Sequence, residues 1–127
     1  MEKEKLQIEY IFDKASRINL WNHIGTSQGL SEWFADNVAS DGKIFTFTWN
    51  NHSVAAEMTG MTPNVYIRFH WTDDENPNSY FEFKIHKIEL TGDLMLEITD
   101  YAEPEEKEES ITLWNKQVKD LKRLLGL

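Results

Sequence analysis

Two hydrophobic periods follow one another along this chain, and their order predicts an architecture. Gln7 to Phe12 alternates, with Ile8, Tyr10 and Phe12 sharing one face, and reads as a first strand. Ser16 suits the cap of a short helix that begins near Arg17, carries Ile18, Leu20, Trp21 and Ile24, and stops at Gly25. Thr26 or Ser27 restarts the chain, and Leu30, Trp33 and Phe34 then fall at the spacing of a second short helix. From Asn37 the period changes to two. Asp41-Gly42 and Asn50-Asn51 are hairpin signals around Phe45, Phe47 and Trp49. Val54 to Met61 is the next strand, closed by Pro63-Asn64.

Val65, Ile67, Phe69 and Trp71 share the following face, with Tyr66, Arg68 and His70 opposite, as in an antiparallel sheet with one solvated side. A polar loop from Thr72 to Ser79 leads to Phe81, Phe83 and Ile85. There the phase slips at His86-Lys87, so that Ile88 and Leu90 take the other parity, which predicts a bulge. Thr91-Gly92-Asp93 turns into Leu94, Leu96 and Ile98. The last segment is a long helix. Pro104 and an acidic first turn open it, Lys119, Lys122 and Arg123 occupy its other end, and Gly126 terminates it. Ile111, Trp114, Val118, Leu121 and Leu125 form its apolar stripe.

A curved sheet and one long helix can close on each other around an apolar chamber. The 127 residues fit one domain, 1–127, without repeat or linker. Aromatic residues make up 13%, including five Trp and seven Phe, so the core or chamber walls are bulky. A formal net charge of −9 opposes binding to nucleic acid or to an anionic membrane surface. No apolar stretch approaches the ~20 residues of a membrane helix, so no membrane insertion is expected. The charged start, Met1 to Lys5, does not read as a secretory signal. The chain has no cysteine, which excludes disulfides and thiol chemistry and is compatible with a cytoplasmic location.

Catalytic and metal signals are sparse. His23, His52, His70 and His86 show no zinc spacing, so no metal and no cofactor is expected. No phosphate loop, dinucleotide fingerprint or nucleophile elbow occurs. Glu57 and Glu82 lie on strands and would have to enter a chamber to act as acid or base; otherwise they belong to a solvated face. Arg68 is a lone cation in an aromatic strand, either forming an outward ion pair or, if turned inward, orienting a carboxylate ligand.

Leu20-Trp21, the run Gly29-Leu30-Ser31-Glu32-Trp33-Phe34, the strand Gly92 to Ile98 and the Trp114 helix with Leu121 together resemble the START-like, helix-grip (SRPBCC) superfamily. Within it the chain looks most like the bacterial AHSA-type branch, named for homology to activators of a chaperone ATPase. The resemblance implies an α+β helix-grip fold: a curved antiparallel sheet of about seven strands, two short helices and a long C-terminal helix around an apolar cavity.

By that resemblance the expected function is binding of a small apolar or lipid-like molecule. A protein-interaction module and a cyclase or hydrolase are the alternatives. Each aromatic side chain, Trp21, Phe45 and Phe81 included, fits either a packed core or a cavity wall. The residues expected to line a cavity are Trp33, Phe34, Phe47, Trp49, Phe69, Trp71, Phe83, Trp114, Val118 and Leu121. Its mouth is expected near the short helices and a neighbouring strand loop, because short elements open without breaking the sheet.

Overall fold

A computed structural model describes residues 3–127. Met1 and Glu2, part of the charged start considered above, lie outside the described residues. The elements are β1 (Glu4–Phe12), α1 (Arg17–Ile24), α2 (Ser27–Leu30), β2 (Asn37–Asp41), β3 (Ile44–Trp49), β4 (His52–Thr62), β5 (Tyr66–Trp71), β6 (Phe81–Lys87), β7 (Leu94–Ala102) and α3 (Lys107–Leu124). A short 3-10 turn, Pro104–Glu106, leads into α3. The seven strands form one antiparallel sheet in the order β1-β7-β6-β5-β4-β3-β2. From β2 onward the sheet is a meander. The two short helices carry the chain from β1 at one edge to β2 at the other.

The turns follow from local chemistry. Gly42 at φ 60° closes the β2–β3 hairpin, and Asn50 and Asn51, at φ 49° and 67°, close β3–β4. Asn and Gly tolerate this left-handed backbone where other residues strain. The inward faces of β3, β5 and β6 carry Phe45, Phe47, Ile67, Phe69, Phe81 and Phe83, which join Trp114, Val118 and Leu121 of α3 in one core cluster.

Several details depart from the sequence expectation. The expected bulge at His86-Lys87 is absent: β6 pairs regularly with β7 through Lys87 and Leu94. The phase changes there because Ile88 leaves the strand for a turn, held by Gly92 N–H donating to Ile88 O at 2.7 Å, and Leu90 projects into solvent at 98% exposure. The register shift lies instead in β4, between Met58 and Gly60. Val65 belongs to the exposed turn before β5 rather than to its inward face. Ile18 and Ile111 are exposed, so the buried faces are Leu20, Trp21 and Ile24 on α1, and Trp114, Val118 and Leu121 on α3. α2 ends at Leu30, and the chain continues as a turn through Trp33 and Phe34.

Candidate functional site

The site is organised around Phe34. Thr26 caps α2 by accepting from Gly29 N–H at 2.9 Å and donates its own hydroxyl to Asn22 O at 2.7 Å. Gly29 lies so close to α1 that a Cβ there would sit 1.9 Å from Asn22 O. Trp33 Nε1 donates to His23 O at 2.7 Å, and Phe34 N–H donates to Leu30 O at 2.9 Å. These contacts fix the turn after α2 and direct the Phe34 ring inward. There it stacks on Trp114 with centroids 5.6 Å apart and meets Phe47 and Trp49 edge-on at 5.3 and 5.4 Å. Phe34 O accepts two hydrogen bonds, from Trp49 Nε1 at 2.9 Å and Gln117 Nε2 at 3.0 Å. The turn, β3 and α3 therefore meet at one peptide carbonyl.

Strand direction determines what else collects there. β3, β5 and β7 run the same way in the meander, so their C-terminal ends lie at one end of the sheet. Those ends carry Trp49, Trp71 and Asp100. α3 crosses this end with Ser110, Leu113, Trp114 and Gln117. Together with Phe34 they enclose a cleft of about 400 Å³. A wider groove of about 790 Å³ adjoins it, sharing Phe34, Trp49, Leu113 and Gln117 and extending along Trp33, Lys116, Asp120, Arg123 and Leu124.

Asp100 is the residue that the candidate residues taken from the sequence omit. Its carboxylate accepts from Trp114 Nε1 at 3.0 Å and from Tyr101 N–H at 2.8 Å. Burial pushes its pKa above the ordinary carboxylate value, and the two hydrogen bonds and the charge of Lys3 partly offset this. A signal was present: Leu94, Leu96 and Ile98 are inward-facing and buried, and Asp100 continues their parity.

The other candidates separate clearly. Phe34, Trp49, Trp71 and Trp114 line the smaller cleft, and Trp33 lines the wider groove. Phe47, Phe69, Phe83 and Leu121 have no exposed surface and Val118 is 2% exposed. These five fill the space between sheet and helix, so the open volume lies at the end of the sheet rather than in its middle. Phe45 and Phe81 are likewise buried in the core, and Trp21 lies on the buried face of α1.

Arg68 points to the outer face, where Nε donates to Glu82 Oε2 at 2.8 Å and the guanidinium lies 3.9 Å from the Tyr80 ring centre. Glu82 is thus a buried, paired carboxylate on the outer side, and Glu57 is exposed opposite His70. Neither glutamate lines the aromatic cleft. His70 accompanies them on the outer face, its Nδ1 2.9 Å from Ser79 O. His23 lies 3.2 Å from Glu32, and His86 lies 2.6 Å from Glu97. Among the described residues no three His, Cys, Asp or Glu side chains gather as a metal site, and no helix is long and apolar enough to cross a membrane.

Comparison with known proteins agrees with this geometry. A family model for the START-like superfamily domain matches residues 1–127. The chain belongs to the START-like superfamily. It is 45% identical to the protein BfR322 of Bacteroides fragilis, whose solution structure superposes with a TM-score of 0.69, covering 98% of this chain and 92% of that one. The Aha1 dimer of Colwellia psychrerythraea shares the fold at 17% identity, with a TM-score of 0.78 and 96% of each chain covered. A Cytophaga hutchinsonii protein, ChR145, does so at 15% identity and a TM-score of 0.75, over 99% of this chain and 96% of its own. No curated protein matches this START-like chain.

Proposed function

We propose that this START-like protein binds a small apolar or amphipathic molecule at the end of its sheet, between Trp49, Trp71 and α3. One observation carries the reading. An open cleft of about 400 Å³ is walled by aromatic rings and holds few polar groups, Asp100, Ser110 and Gln117 among them. Apolar walls supply affinity through burial, and a small number of placed polar groups fix orientation. Membership of the superfamily supports the same reading, since this fold commonly takes apolar ligands. The proposal includes a cytoplasmic location, which the cysteine-free composition suits.

The test is thermal stabilisation by n-octanol. A molecule that binds only the folded state raises the unfolding midpoint with concentration. Ser110 faces the cleft from a partly exposed helix position, so Ser110→Trp fills the space without entering the core. Val118 is the wrong place for such a block, because its side chain is already enclosed. A saturable rise in midpoint that Ser110→Trp removes supports the proposal. No rise with octanol, with longer alkanols or with charged amphiphiles of the same tail length would sink it. The alternative of a protein-interaction module would then gain support if Leu113 and Leu124, exposed beside the cleft, proved necessary for binding a defined partner.

A further inference from the structure

The polarity of the cleft narrows the ligand further, on the basis of the binding reading above. Among the described residues its lining contains one carboxylate, Asp100, and no Lys, Arg or His. Trp71 and Trp49 stand with ring centroids 6.3 Å apart at an interplanar angle of 56°, and Phe34 lies stacked on Trp114 at 14°. The inclined Trp49 and Trp71 rings, sharing the lining with an acidic group, form a surface that attracts organic cations, because the ring quadrupoles and the carboxylate act in the same sense.

Asp100 has no ion-pair partner within 4.0 Å among the described residues. Lys3, whose charge reaches it, is 3.8 Å from Asp74 instead. The hydrogen bonds from Trp114 and Tyr101 leave further acceptor capacity on both oxygens. Burial alone raises the proton affinity of this carboxylate, and a bound cation would relieve that cost. The net charge of −9 favours the approach of a cation and disfavours an anion. The shared walls of Phe34, Trp49 and Leu113 give an apolar tail a path into the wider groove.

From this arrangement we infer that the cleft is selective for amphipathic amines: an ammonium head against Asp100 and the Trp71 and Trp49 rings, with an apolar tail along Phe34 and Leu113. A fatty acid carries the opposite head charge and would place its carboxylate against Asp100.

The experiment compares three probes with the same tail, n-octylammonium, n-octanol and octanoate, by calorimetry and thermal shift at 0.15 M salt. Octylammonium should bind about tenfold more tightly than octanol, the equivalent of ~1.4 kcal/mol, and octanoate more weakly than octanol. Asp100→Asn keeps an oxygen that accepts from Trp114 and should bring the ammonium-to-octanol ratio to within about twofold. Glu57→Gln removes an equal charge away from the cleft and should leave the ratio unchanged. Trp71→Leu keeps apolar surface while removing a ring, so it should weaken octylammonium more than octanol. It also supplies a test should Asp100→Asn fail to fold. Equal binding of octanol and octylammonium, a preference for octanoate, or a ratio insensitive to Asp100→Asn and Trp71→Leu would overturn the inference while leaving the binding function standing. Absence of binding by all three probes would overturn both.

Discussion

Trp114 joins the long helix, the Phe34 turn and the buried carboxylate, and its replacement separates their contributions. The side chain is 6% exposed, stacks on Phe34, meets Phe83 edge-on at 5.8 Å and donates to Asp100 at 3.0 Å. Trp114→Ala removes the ring contacts and the donor and leaves a void between α3 and the end of the sheet. The expected cost is about 3–5 kcal/mol. For a chain of 127 residues this lowers the thermal midpoint by about 11–19 °C. Trp114→Phe keeps a ring against Phe34 and loses the N–H. Its expected cost is ~1–2 kcal/mol, chiefly from the Asp100 oxygen left without that donor. Urea unfolding followed by far-ultraviolet circular dichroism measures both, with midpoints shifted at constant slope if the native state alone has changed. A cost below about 1 kcal/mol for Trp114→Ala would refute the docking of this ring, since a buried side chain of this size cannot be removed with so little loss. Equal costs for the Phe and Ala variants would refute it as well, because ring stacking would then contribute nothing.

Three further outcomes follow from the same contacts. Asp100 has a folded pKa above its ordinary value of 3.8, so the native state holds the proton more tightly than the unfolded chain. Stability is therefore greatest below that value and declines as pH rises through the window above it. Asp100→Asn should gain midpoint relative to the wild type between pH 4 and pH 7, and a constant difference across that range would contradict the burial argument. Gly29→Ala sets a Cβ against the backbone of Asn22 and His23, which cannot swing aside, and should cost ~1–3 kcal/mol with a measurable fall in thermal midpoint. Arg68→Met leaves Glu82, 5% exposed, without its partner and should destabilise by ~1–3 kcal/mol, while the double variant Arg68→Met/Glu82→Met should recover part of the loss in a mutant cycle.

Much of the fold is legible because local chemistry and pattern agree. Asn50-Asn51, Asp41-Gly42 and Thr91-Gly92-Asp93 mark turns that the backbone requires, and Phe45, Phe47 and Trp49 can face the core only together. Stripe margins are less legible. Ile18 and Ile111 obey helical spacing yet lie exposed, because the width of a buried face depends on what packs against it. The phase change near Ile88 has the same pattern as a bulge, and only the backbone bonds of the turn distinguish them. For the site, spacing identified the aromatic faces but not which rings close on one another. Phe47 and Phe69 meet edge-on in the core, while Trp49 and Trp71, two residues further along the same strands, remain at the open end. Asp100 carried a parity signal, but a charged residue after Ile98 looks like the end of an apolar strand until its Trp114 partner is seen.

The indole N–H resonances of the five tryptophans test the central claim most directly, because each reports one position. In ¹H–¹⁵N spectra assigned by single Trp→Phe substitutions, titration with octylammonium or octanol should move the Trp49, Trp71 and Trp114 signals together and to saturation. Trp21, on the buried face of α1 and not among the cleft's lining residues, should stay still. Saturable shifts confined to Trp21, or no shift at any indole, would contradict binding at the end of the sheet.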